Sequence, residues 1–197
     1  STPHRGSDLG PDGASVASAA EPEEESEAGG KEDGRSVVGD PLSVDARRRR
    51  KQELQEGVRR FNGKPSAGLR YMWDRGVLDR SPEQVARFLH TWEDGLDKTL
   101  TGEFLGSTKD YNIQVLYAYV DQMDFAGLDF DEAIRAFLAG FRLPGEAQQV
   151  DRIMEKFAER FCVTNPGIFE SADHAFVLAF SIIMLNTDRH NPNIKPE

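Results

Sequence analysis

The sequence predicts an all-α fold: a right-handed or orthogonal stack of short helices, preceded by a disordered acidic tail. Three observations predict it. From Asp45 onward, apolar residues recur at spacings of three and four, the period of a helix with one buried face. No stretch alternates as a strand does. Start and stop signals follow one another closely, so the helices span only about ten to seventeen residues, too short for a long bundle.

The elements follow in order. Residues 1–44 carry ten acids and three bases, net −7, and almost no large apolar residue. EPEEESE repels itself and cannot bury anything, so this stretch reads as a disordered, dispensable tail or linker. The domain is then 45–197, with 24 acids and 21 bases, and its near-neutrality gives no reason to expect nucleic-acid binding. ARRRRKQELQEGVRRF (46–61) is a helix ending at the turn NGKP, and SAGLRYMWDRG (66–76) a short one with Gly76 beyond its end. Ser81-Pro82-Glu83 opens a third: a capping residue, then Pro at the first helical position. LDKTLTGEFLG (96–106) follows, capped by Asp97. In YNIQVLYAYVDQM (111–123) the face Ile113, Leu116, Tyr117 and Val120 is expected to be buried. In DFDEAIRAFLAGF (129–141) it is Phe130, Ile134, Phe137, Leu138 and Phe141, and in AQQVDRIMEKFAERF (147–161) Val150, Ile153, Met154, Phe157 and Phe161. Ser171-Ala172-Asp173 precedes AFVLAFSIIML (175–185), apolar except for Ser181. Eleven residues cannot span a bilayer, so this run is expected to be the buried central helix.

Several tempting motifs fail. DQMDFAGLDFDE (121–132) lacks the acids at positions 3 and 5 and the Gly at 6 of a calcium loop. GGK (29–31) lacks the rest of a phosphate loop. Asp188 and His190 in TDRH lack further ligands at metal spacing, so no metal or cofactor is assigned. RRRRK (47–51) points in every direction on a helix and reads first as a solvated face, with contact to anionic lipid or an acidic partner as the second reading. The single Cys162 permits no internal disulfide, points to a reducing compartment and reads as a packed thiol.

One turn stands out. In FRLPGEAQ (141–148), Leu143-Pro144-Gly145 cannot continue a helix, which puts the Glu146 carboxylate at the tip of a tight bend where the next helix starts. The default reading is helix electrostatics, since an acid in a first turn complements the dipole.

FRLPGEAQQVDRIMEKFAERFC (141–162) and IIMLNTDRHNPNIK (182–195) resemble the two signature motifs of the Sec-seven domain. That is the catalytic module of guanine-nucleotide exchange factors for Arf-family small GTPases. FNGKPSAGL (61–69) and YVDQMDFAGLDFDEAIRAFLAGF (119–141) resemble its large brefeldin-inhibited Golgi members. The likeness covers about residues 46–197. It implies an all-helical domain whose hydrophobic groove binds the GTPase switch regions, with Glu146 as a catalytic glutamate finger. Candidate groove residues are Val150, Ile153, Met154, Phe180, Ile183 and Met184, with Asn191 at the polar position of the second motif. Phe180, Ser181 and Asp188 stand where brefeldin-sensitive members carry Tyr, Ser and Asp. Arg189 stands where the family usually has Leu. The family domain continues past the second motif, which implies truncation at the C-terminus.

The resemblance thus implies nucleotide exchange without covalent chemistry, on GDP-bound and nucleotide-free Arf proteins, in vesicle-mediated transport. It implies a cytoplasmic protein at the cytosolic face of Golgi or trans-Golgi membranes, held peripherally. The alternative from another class is a non-catalytic helical adaptor that binds a partner in the same groove. Glu146 separates the two, because an adaptor has no use for a carboxylate at that tip.

Overall fold

A computed structural model describes residues 41–189, with side chains for 44–185. The tail expected over 1–44 therefore lies outside the described residues up to position 40, as does Asn191. The side chain of Asp188 is also outside the description.

The described chain is helical, as the periodicity predicts. Eight helices follow in order: α1 (Pro41–Phe61), α2 (Pro65–Asp74), α3 (Pro82–Thr91), α4 (Lys98–Gly106), α5 (Asp110–Asp121), α6 (Phe130–Phe137), α7 (Ala147–Thr164) and α8 (Ala172–Arg189). A single 3-10 turn spans Glu93–Gly95. The α1 helix starts four residues inside the stretch read as tail, with Pro at its first position, where the missing N–H costs nothing. Arg47 to Lys51 are all exposed, and Arg50 Nη2 donates to the Val77 carbonyl at 2.9 Å.

The cap signals hold atom by atom. Ser81 Oγ accepts from Gln84 N at 3.3 Å, and Asp97 Oδ1 from Leu100 N at 2.9 Å. Gly76 follows α2 with φ +63°, a backbone that side chains avoid.

Two burial expectations fail. On α5 the buried set is Asn112, Val115, Leu116, Tyr119 and Val120, while Ile113 is half-buried and Tyr117 is 44% exposed. Both sets have helical spacing because α5 is apolar or aromatic around most of its circumference. Tertiary partners choose between them. Asn112 Nδ2 donates to the Phe104 carbonyl at 2.7 Å, and the Tyr119 ring stacks on His90 with centroids 3.8 Å apart. Tyr117 instead carries the Lys156 ammonium over its outer face at 4.9 Å.

The second failure is α8, which is not central. Among its described side chains only Ala175 and Ala179 are fully buried, where their small side chains face the core. Val177 (61% exposed), Leu178, Met184 and Leu185 (70%) lie open. An apolar run says that a helix prefers to be covered, not that the rest of the chain covers it. No helix among the described residues is long and apolar enough to cross a membrane.

The core is aromatic. Phe125, Phe137, Phe141, Phe157 and Phe161 are all buried, and the loop after α5 is drawn into it by Phe125. Asn165 fixes that loop to the end of α7. It is 7% exposed; its Nδ2 donates to the Phe125 carbonyl at 2.9 Å, and its Oδ1 accepts from Gly127 N at 3.0 Å. Asn165→Ala would strip the Gly127 N–H of its acceptor and leave the Phe125 carbonyl with the Leu128 N–H alone, and should destabilise the fold by about 2 kcal/mol, read as a lower urea midpoint. A midpoint unchanged from wild type would mean that the loop is held without it.

Candidate functional site

The site is built from the loop between α6 and α7. Phe141 anchors its start: it is 1% exposed, with its ring 5.2 Å from Phe137 and 5.9 Å from Tyr119. Leu143 and Pro144 are half-buried, and then the chain turns outward, leaving Gly145 and Glu146 exposed. A bend falls at Gly145, as expected. Yet a Cβ there would meet nothing, and its φ is not positive, so neither space nor backbone demands the glycine.

Glu146 is the N-cap of α7, with extended backbone at φ −97° and ψ 120°. Its carbonyl accepts from Gln149 N at 3.0 Å and Val150 N at 3.1 Å. Its carboxylate makes no cap bond to the helix backbone; Oε2 accepts from the side-chain amide of Gln149 instead. The carboxylate is thus held at the surface by a neighbour one turn on. The surface around it is lined by Glu103, Ser107, Thr108, Pro144 and Gln149.

The α7 and α8 helices form a hairpin, joined through residues 165–171 and packed together. This brings the expected groove residues onto one pair of helices. Val150 and Ile183 are half-buried against the core, Phe180 is half-buried, and Met184 is 46% exposed. Ile153 and Met154 have no exposed surface. They follow Val150 on the same stripe, so they underlie the pair of helices as core and offer nothing to a partner. The Phe180 ring lies 5.9 Å from Phe176, and the exposed Ser181 hydroxyl donates back to the Val177 carbonyl at 2.7 Å. The sequence reading missed the open apolar residues Val177, Leu178 and Leu185, which it had placed in the core. It also missed Gln149, whose spacing of three from Glu146 was the available signal. Cys162 is half-buried at the far end of α7, and burial raises its thiol pKa, which leaves it a poor nucleophile.

Comparison with known proteins identifies the family of this fold. Residues 50–197 match the Sec7 domain. The chain is 56% identical over 156 residues, 79% of its length, to brefeldin A-inhibited guanine nucleotide-exchange protein 2 of Arabidopsis thaliana. It spans about 9% of that relative's length. The crystal structure of the Sec7p catalytic domain superposes with a TM-score of 0.66 at 45% identity, over 73% of this chain and 76% of that one. A Sec7 domain solved with ARF1-GDP and brefeldin A gives a TM-score of 0.70 at 38% identity, over 78% of each chain. With the family's fold, and with the Glu146 turn and the α7–α8 hairpin inside the matched segment, this chain belongs to the Sec7 domain family.

Proposed function

We propose that residues 45–197 promote release of GDP from an Arf-family small GTPase, with Glu146 as the group that acts on the nucleotide site. The observation that carries this reading is the position of Glu146. Its carboxylate stands exposed at the start of α7, on a loop anchored at Phe141, beside a helix pair with an open apolar face. A helix-dipole role alone would be met by a side chain folded onto the helix N–H groups, which this one is not. The solved Sec7 domain with ARF1-GDP and the exchange-protein relatives support the same partner class.

The physics is one of charge competition. A GTPase holds GDP through a phosphate-cradling loop, a lysine and a magnesium ion. A carboxylate delivered there faces the β-phosphate as a like charge and competes for the lysine. Two unit charges 4 Å apart repel by about 4 kcal/mol at an effective dielectric of 20, roughly a thousandfold in affinity. The apolar surface of Val150, Phe180, Ile183 and Met184 supplies the docking energy, with Asn191 as a polar contact to the switch regions. The parent protein acts at the cytosolic face of Golgi membranes, held peripherally, and no helix among the described residues is long and apolar enough to cross one. The test is release of labelled GDP from an Arf protein with and without this chain. A release rate that this chain leaves unchanged would overturn the proposal.

Brefeldin-type inhibition follows from the same surface. With Phe180 and Ser181 on α8 and Asp188 near its end, two of three positions match the sensitive pattern. Partial inhibition of exchange is expected, and Phe180→Tyr should strengthen it by restoring a hydroxyl at the half-buried ring. Inhibition unchanged by that substitution would remove Phe180 from the inhibitor site.

A further inference from the structure

The Glu146 loop lies on a helix that carries two glycines one turn apart. Gly102 sits inside α4 and Gly106 is its last residue, both buried, at the i, i+4 spacing that puts them on one face. Local propensity argues against Gly102, because alanine is the better helix former in a helix interior. Space argues for both. A Cβ on Gly102 would overlap the carbonyl oxygen of Arg142 and lie 2.9 Å from its carbonyl carbon. A Cβ on Gly106 would lie 3.0 Å from Pro144 Cγ, 3.0 Å from Gln149 Oε1 and 3.1 Å from Gln149 Cβ. The first glycine admits the loop backbone. The second admits the proline of the turn and the glutamine that holds the Glu146 carboxylate.

Hydrogen bonds fasten the same contact. Arg142 N donates to the Lys98 carbonyl at 2.9 Å, and Lys98 Nζ to the Ala139 carbonyl at 2.6 Å. From α7, Arg152 Nη1 donates to the Gly106 carbonyl at 3.0 Å and the Ser107 carbonyl at 3.4 Å. The start of α4 thus grips the loop before the turn, and its end grips the helix after it.

We infer that Gly102 and Gly106 are positioning residues for exchange: they form a seat on α4 that sets where the Glu146 carboxylate stands. The inference rests on the exchange-factor reading above. The seat acts through the loop and touches neither GTPase nor nucleotide.

The experiment compares three variants of the full chain. Gly102→Ala meets backbone and must displace the loop. Gly106→Ala meets side chains, which yield by a few tenths of an ångström. Gly68→Ala is the control: its Cβ would lie 2.5 Å from the Phe61 backbone nitrogen, also a clash with backbone, at the α1–α2 contact and away from the loop. Each is assayed for release of labelled GDP over a range of Arf-GDP concentrations, beside wild type and Glu146→Lys. Gly102→Ala is expected to lower kcat by about 100-fold, the scale of a misplacement of about 1 Å. Its KM should hold near the wild-type value, because the apolar surface is intact. Gly106→Ala should give the smaller loss, and Gly68→Ala should lower melting temperature without lowering kcat. Amide exchange at Gln149 and Val150, which donate to the Glu146 carbonyl, should speed up in Gly102→Ala and not in Gly68→Ala. If Gly102→Ala does not fold, the comparison of Gly106→Ala with Gly68→Ala decides alone. Equal kcat losses in the α4 and control variants, or wild-type kcat in the α4 variants, would overturn the seat while leaving the exchange reading intact. A wild-type chain that releases no GDP would overturn both.

Discussion

Glu146→Lys is expected to abolish GDP release while leaving the fold in place. The side chain is exposed and makes one bond, to the Gln149 amide, so little packing is lost. A cation at the start of α7 opposes the helix dipole and costs about 1 kcal/mol. For a chain of this length that lowers the melting temperature by roughly 2–4 °C. At the nucleotide the sign reverses. A lysine attracts the β-phosphate where the carboxylate repelled it, and it cannot compete for the phosphate-loop lysine. The variant should therefore bind the GDP-loaded GTPase and stall with nucleotide in place. Glu146→Ala should also lose most activity but trap the complex less firmly, having no charge to offer. Fluorescence of labelled GDP reads the release, a pull-down of GDP-loaded GTPase reads the trap, and circular dichroism checks the helices. A folded Glu146→Lys chain that exchanges nearly as well as wild type would leave the adaptor reading in place of the exchange factor.

What the sequence could and could not disclose about this site divides along local and tertiary lines. The caps of α3 and α4 were legible because a capping side chain bonds an N–H three residues away, a contact written within a single turn. The outward turn at Glu146 was legible from another local signal, Pro144 and Gly145, which cannot continue a helix. The buried face of α5 was not, because two helical stripes compete there and His90, 29 residues before Tyr119 and in another helix, helps decide between them. Nor was the exposure of α8, since hydrophobicity records a preference for cover and is silent about what supplies it. The α4 glycines were visible as residues but not as a seat, because their purpose is a close approach by Arg142 and Pro144, forty residues away.

Phe157→Ala is expected to be the most destabilising of these substitutions, and its effect on exchange should separate core from site. Phe157 has no exposed surface, and it stands at the centre of the aromatic cluster: its ring is 5.0 Å from Phe137, stacked, 5.2 Å from Phe125, 5.9 Å from Phe130 and 6.2 Å from Phe161. Four rings from three segments therefore lose a partner at once. Such rings cannot all collapse into one gap, so a cavity remains, and truncations of this kind cost about 3–5 kcal/mol. The melting temperature should fall by roughly 6–20 °C, taking 2–4 °C for each kcal/mol. Phe157 and Glu146 lie on the same helix, yet the variant should still exchange nucleotide near the wild-type rate well below its melting temperature. The start of α7 is also held by Arg152 and the α4 contact, which lie outside the aromatic cluster. Thermal unfolding and GDP release at low temperature are measured on the same preparation. A loss of stability below about 1 kcal/mol would mean that the cluster is not the core. A well-folded variant that has lost exchange would mean that α7 transmits packing changes along its whole length to Glu146, and the loop would then not be fixed from α4.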